Sequence, residues 1–156
     1  MDNVCFGPKH HGEDPKDYKE RAQKYIDMVG LNGFEKSYPY QLSGGMKQRV
    51  GIARAYANEP KILIMDEPFG ALDAQTRYSM EEEVQKIAQK DKRTVIFVTN
   101  NIEEALMLGD RIILFTTYPA KIKKIYEVNI PKPRDTMGHE FLRLRNEISD
   151  NTDLAW

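Results

Sequence analysis

Ile62-Leu63-Ile64-Met65-Asp66-Glu67 is a short, unbroken apolar run that ends in two adjacent carboxylates. A run of this length without alternation predicts a strand buried on both faces, as in a parallel sheet. Thr94-Val95-Ile96-Phe97-Val98 repeats the pattern. Between the two runs, Glu81 to Lys90 has the spacing of a charged amphipathic helix that begins near Ala74, and Ile102 to Leu108 predicts another helix. Arg111 to Phe115 and Lys123 to Val128 read as further strands, the last ones at a sheet edge. Pro131 and Pro133 then break the chain before a final helix around Glu140 to Ile148. Strand and helix alternate, which predicts an α/β fold with a mostly parallel sheet.

Upstream the pattern is helical. Met1 to Glu13 has no period, and Asp14 then reads as an N-cap with Pro15 at the first helical position. Tyr18, Ala22, Tyr25, Ile26 and Val29 follow at helical spacing, and Gly30 fits the stop. Asn32 to Gln41 reads as a loop. A second helix is expected from about Ser43 to Asn58, with Met46, Val50, Ala53 and Ala57 on one stripe. The expected organisation is a small helical subdomain over about 14–58, attached to an α/β part over about 59–156.

Bulk composition narrows the class. The 156 residues are 40% hydrophobic and 30% charged, as in a globular domain. A net charge of −1 gives no reason to expect nucleic acid as a partner. The single Cys5 excludes an internal disulfide framework and fits a reducing compartment. No apolar stretch approaches the roughly 20 residues of a membrane span, and the first residues lack a signal-peptide pattern, so a cytoplasmic location is expected.

Two constellations carry chemistry. In Leu42-Ser43-Gly44-Gly45-Met46-Lys47-Gln48-Arg49, a hydroxyl and two glycines stand directly before a helix. They would put unhindered N–H groups at the positive end of its dipole, which suits a phosphate. An ordinary Ser N-cap is the alternative. At the second, Asp66 and Glu67 follow a buried strand, and open α/β sheets bind ligands at the carboxyl ends of their strands. An Asp there suits Mg²⁺, which prefers oxygen ligands, and a neighbouring Glu suits the polarisation of water. The alternative is an acidic pair that opens a solvated loop.

Taken in order, Leu42-Ser43-Gly44-Gly45, Gln48-Arg49, Ala53-Arg54-Ala55, a strand ending in Asp66-Glu67-Pro68, and Gly70-Ala71-Leu72-Asp73 resemble the ABC ATPases. In that family these segments are the signature motif, Walker B with its catalytic glutamate, and the D-loop. The resemblance implies the C-terminal part of a P-loop NTPase domain of ABC type, with ATP and Mg²⁺ as cofactors. It implies that Ser43, Gly44 and Gly45 contact the γ-phosphate of an ATP held by a second ATP-binding subunit. Gln48 and Asp73 would join the nucleotide-binding set, with Asp73 communicating across the dimer. Asp66 would hold the metal through water and Glu67 would activate the attacking water. Implied partners are membrane permease subunits and, indirectly, a solute-binding protein, with the chain peripheral on the inner face of the membrane. Asn3-Val4 with Phe6-Gly7, Pro68 to Ala74, and Val128 to Arg134 are similar to importer ATPases for nitrate, sulfonate or taurine.

The chain departs from the family twice. Its nearest approach to a Walker A loop, Gly7-Pro8-Lys9-His10-His11-Gly12, continues into Glu13-Asp14, whose charges would repel a triphosphate. The resemblance therefore implies a chain truncated before Asn3, without Walker A. In Val98-Thr99-Asn100-Asn101, Asn100 stands where the family has a His that reaches the γ-phosphate. An Asn amide can donate a hydrogen bond there but cannot carry a proton, and a helix cap is the other reading of Asn100 or Asn101. The leading expectation is an importer ATP-binding subunit. The alternatives are a non-catalytic partner that lends only its signature face, a decayed product, and an ATPase of DNA repair or chromosome maintenance, the last opposed by the absence of heptads.

Overall fold

A computed structural model describes residues 1–90 and 93–152, with Gln89 and Lys90 in backbone only. The chain forms two compact units, Met1–Val98 and Thr99–Trp156.

In the first unit α1 (Phe6–His10) precedes α2 (Pro15–Met28), α3 (Gly44–Ala57), β1 (Ile62–Asp66), α4 (Ala74–Lys90) and β2 (Thr94–Val98). The Asp14 carboxylate accepts from Lys16 N at 2.8 Å, so α2 starts as expected, with Pro15 in its first turn. It stops at Gly30, whose φ of +63° lets the Leu31 amide return to the Ile26 carbonyl. Helix α1 lies in the stretch expected to have no period, and it covers Gly7 to His10 of the segment nearest in pattern to a Walker A loop.

α2 packs on α3, and Tyr25 stacks on Tyr56 with ring centroids 5.6 Å apart. The two helices also cap each other. Arg49 Nη1 of α3 donates to the Val29 and Gly30 carbonyls after α2, at 2.9 and 3.3 Å. Arg21 Nε of α2 donates to the Ala57 carbonyl that ends α3, at 2.8 Å. Each guanidinium satisfies carbonyls that a helix end leaves without partners. The buried stripe of α3 is Ile52, Ala53, Tyr56 and Ala57. Met46 and Val50 are only half-buried, which corrects that part of the expected stripe.

β1 and β2 pair in parallel, with Ile62 opposite Thr94 and Asp66 opposite Val98. Burial alternates along β1. Leu63 and Met65 are inside, while Ile62 and Ile64 are 60% and 67% exposed. The expectation of strands buried on both faces is therefore corrected: only one face of this pair is covered.

In the second unit α5 (Ile102–Leu108) leads into β3 (Arg111–Phe115), β4 (Ile122–Glu127) and α6 (His139–Asn151). β3 and β4 pair antiparallel, because the link over 116–121 is too short for a parallel crossover, which needs a dozen or more residues. β4 begins at Ile122 and ends at Glu127, one residue earlier at each end than expected. Leu106, Met107, Tyr126, Val128, Phe141, Leu144 and Ile148 form the core.

Arg134 locks this unit. Only 6% exposed, it donates from Nη1 to the carbonyls of Leu106, Met107 and Gly109, from Nε to Ile130, and from Nη2 to Val128. Arg134→Met keeps the stem but strands these buried acceptors. It should lower the unfolding free energy by about 3 kcal/mol in a urea titration.

Candidate functional site

Ser43 is the N-cap of α3. Its backbone is extended, and its Oγ accepts from Met46 N at 3.2 Å. The cap reading of Ser43 is thus observed. The glycines behind it differ. A Cβ on Gly44 would meet nothing within 4 Å, so that side of the helix start is open. A Cβ on Gly45 would lie 3.1 Å from Leu72 Cδ2 and 3.5 Å from the Ala71 carbonyl, so Gly45 permits a close approach to the 70–73 segment.

Asp66 is the last residue of β1 and is exposed, while Glu67 is half-buried. Glu67 N still donates to the Val98 carbonyl at 2.9 Å, continuing the ladder one step past the strand. Its own φ is +44°. A non-glycine residue is held in the left-handed region at a cost of roughly 1–3 kcal/mol, and such outliers cluster at functional sites. The Glu67 carbonyl accepts from Gly70 N at 3.2 Å and from Gln48 Nε2 at 2.8 Å. Gln48 Oε1 accepts from Ala71 N at 2.9 Å. Phe69 is fully buried, with its ring 5.5 Å from that of Phe97.

The same segment starts the next helix. Asp73 Oδ1 accepts from Thr76 N at 3.0 Å, and the Asp73 carbonyl accepts from Arg77 N. Ser43, Gly44, Gly45, Gln48, Asp66, Glu67 and Asp73 therefore all lie in the first unit. A groove of about 580 Å³ beside α3, lined by Leu42, Lys47, Val50 and Arg54 among others, contains none of them.

Asn100 is exposed and lies in the second unit. The cap of α5 is Asn101, whose Oδ1 accepts from Glu103 N and Glu104 N at 2.9 and 3.3 Å. Beside it, Thr99 Oγ1 donates to the buried Glu104 at 2.7 Å and accepts from Asn101 N at 3.0 Å.

Sequence reasoning missed the positive φ of Glu67, the Gln48 bridge and the Thr99–Glu104 pair. Only Gln48 left a signal, as an amide in the motif three residues past Gly45. Asp66 and Glu67 offer hard oxygen donors at a strand end. Among the described residues no group of three or more His, Cys, Asp or Glu side chains could enclose a metal. That donor set fits Mg²⁺, which is commonly held by one or two carboxylates with waters and substrate phosphates.

The Asp73 carboxyl is held below its ordinary value of 3.8, first by the backbone N–H of Thr76 and then by the Thr76 side chain. A lowered folded value means that its capping contribution is complete above 3.8 and is lost as pH falls through the folded value. Thr76 amide protection, followed by hydrogen exchange, should drop on acidification below that point. In Asp73→Asn, which has no carboxyl to titrate, it should not.

Residues 2–70 match the ABC transporter family. The chain is 51% identical over 148 residues to an uncharacterized ABC transporter ATP-binding protein of Methanocaldococcus jannaschii, covering 95% of this chain and 55% of that protein. It is 45% identical over 130 residues to an aliphatic sulfonates import ATP-binding protein of Bacillus cereus, covering 83% of this chain and 52% of that one. A dimeric post-hydrolysis structure of an ATP-binding cassette bound to ADP and Pi superposes with a TM-score of 0.63 at 34% identity, over 74% of this chain and 49% of that one. The chain thus spans about half the length of the relatives it matches. With their motif order and a parallel strand pair ending in Asp66-Glu67, residues 2–70 match the ABC transporter family, and the chain is similar to ABC transporter ATP-binding proteins.

Proposed function

We propose that this chain works as the signature-bearing and Walker B-bearing part of an importer ATP-binding subunit. It would couple ATP binding and hydrolysis to the uptake of a small solute. The observation that carries the reading is the Glu67 turn: two carboxylates at the end of a parallel strand, the second in a strained backbone state and tied to the helix that starts at Ser43-Gly44-Gly45. A sulfonate or similar anion is the proposed solute, following the Bacillus cereus relative.

In this reading the start of α3 faces the γ-phosphate of an ATP on a second ATP-binding subunit, with Gln48 and Asp73 near that contact. Asp66 would hold Mg²⁺, which would supply positive charge against that of the phosphates. Glu67 takes a proton from the attacking water, and Asn100 donates a hydrogen bond near the γ-phosphate. The helical part over about 14–58 and the α/β part over about 59–156 act as the two functional divisions. The subunit sits on the inner face of the membrane against permease subunits, served indirectly by a solute-binding protein. No helix among the described residues is long and apolar enough to cross the membrane itself.

Asn100 favours a second reading, in which the chain assists another subunit in trans without turning over ATP itself. An Asn cannot take the charge that the family's His carries.

Mixing tests the proposal. Alone, the 156-residue chain should release phosphate at background rate, because no G-x-x-x-x-G-K-[ST] segment occurs within it to cradle the phosphates. Added to the complete Bacillus cereus relative with Mg-ATP, it should change that subunit's turnover. Ser43→Arg should abolish the change by filling the open approach beside Gly44. Unaltered turnover despite demonstrated binding would sink the signature role.

Catalysis separates from binding when the chain is joined to a Walker A-bearing segment of that relative. Glu67→Gln should then cost about 10²–10⁴-fold in phosphate release while ATP binding persists. Asn100→His should raise turnover.

A further inference from the structure

Gln48 lies in the second turn of α3, and both ends of its side-chain amide are engaged. Nε2 donates to the Glu67 carbonyl at 2.8 Å, and Oε1 accepts from the Ala71 N–H at 2.9 Å. One partner is an acceptor and the other a donor, so they fix which way round the amide lies. A side-chain amide offers a donor and an acceptor from one planar end and keeps both at neutral pH.

The bridge spans the turn that holds Glu67 at a φ of +44°. The Glu67 carbonyl also accepts from Gly70 N, and the Glu67 amide is held by Val98, so Gln48 closes the turn from the helix side. One turn earlier on α3, Gly45 meets the same segment at Ala71 and Leu72, so closely that an added Cβ would lie 3.1 Å from Leu72 Cδ2. α3 thus grips residues 67–72 at two levels, and the gripping residues, Gly45 and Gln48, stand two and five positions after Ser43.

We infer that Gln48 is a positioning residue that makes the start of α3 and the Glu67 turn move as one body. A phosphate engaged at Ser43-Gly44-Gly45 would then set the Glu67 carboxylate, which links the site this subunit completes on its partner to the carboxylate of its own site. The ligand at Ser43 rests on the proposed function, whereas the bridge does not.

Backbone amide exchange on the whole 156-residue chain tests both parts. Gln48→Leu removes donor and acceptor together, while Gln48→Glu keeps the acceptor and loses the donor at neutral pH. Ala71 amide protection should fall about tenfold in Gln48→Leu and stay within about twofold of the parent in Gln48→Glu. Met46 and Lys47 amides, which bond to Ser43, should be unchanged in both variants. The complete Bacillus cereus relative with Mg-ATP is then added. In the parent, protection should rise at Met46 and Lys47 and also at Gly70 to Leu72. In Gln48→Leu it should rise at Met46 and Lys47 alone.

Equal Ala71 protection in the parent and Gln48→Leu would overturn the bridge, and a rise at Gly70 to Leu72 that survives Gln48→Leu would overturn the coupling. No rise anywhere in the parent removes the proposed function instead, and Ala71 protection then decides by itself whether Gln48 holds the turn.

Discussion

At Glu67 the backbone leaves a parallel ladder in a conformation that only surrounding contacts can sustain, and much of the first unit is arranged around that point. Its N–H completes the ladder on Val98, and its carbonyl collects Gly70 N and the Gln48 amide. With both backbone groups held, the next residues have a defined path. Phe69 goes inward against Phe97, Leu72 follows it into the interior, and Asp73 emerges to cap α4. The carboxylates divide by backbone. Asp66 keeps its strand conformation and stays exposed, while Glu67 is turned and half-buried. Adjacent acids in one extended segment would point to opposite faces.

α3 serves this turn because its other end is fixed. Arg49 and Arg21 cap the carbonyl ends of each other's helices, so α2 and α3 share their terminal hydrogen bonds. Arg49 follows Gln48 directly, and the two side chains leave α3 on different sides. One reaches the end of α2 and the other reaches the turn after β1. A charged donor suits the carbonyl cluster at a helix end, while a neutral amide suits a site that needs both a donor and an acceptor. Exchanging these two residues would satisfy neither site.

Much of this was legible because local chemistry set it. Asp14-Pro15, Gly30, Ser43 and the apolar runs at 62–65 and 94–98 each carry their own signal, and the structure places helices and strands there. The failures share a cause. Ile62 and Ile64 look buried by composition, but burial depends on what covers the sheet, and here one face is open. The stripe on α3 was assigned through Met46 and Val50, while Ile52 and Tyr56 go deeper because α2 packs there. The site was legible as a list of residues, but not as a connected object. Nothing in the run from Ile62 to Glu67 announces a positive φ, since Glu has no preference for it. The Gln48 bridge joins positions 19 and 23 residues apart, which no local pattern encodes. Helix α1 was missed because it is held by packing on α2 and α3 and not by periodicity.

The two readings of Ser43 are compatible. As N-cap, Ser43 accepts a hydrogen bond from Met46 N through a lone pair of Oγ, and its carbonyl accepts from Lys47 N. Neither bond uses the hydroxyl hydrogen. The N–H groups of the first helical residues have no partner within a helix, and here those residues are Gly44 and Gly45. Capping therefore fixes the direction of α3 and leaves its hydroxyl hydrogen and leading amides to an incoming anion. Glycine at 44 keeps the approach clear, while glycine at 45 allows the close fit to Leu72. A larger residue at 45 would crowd Leu72 Cδ2 and the Ala71 carbonyl, in the segment that the Gln48 bridge holds. The two glycines thus serve opposite sides of the same helix start, one toward solvent and one toward the turn that carries Glu67.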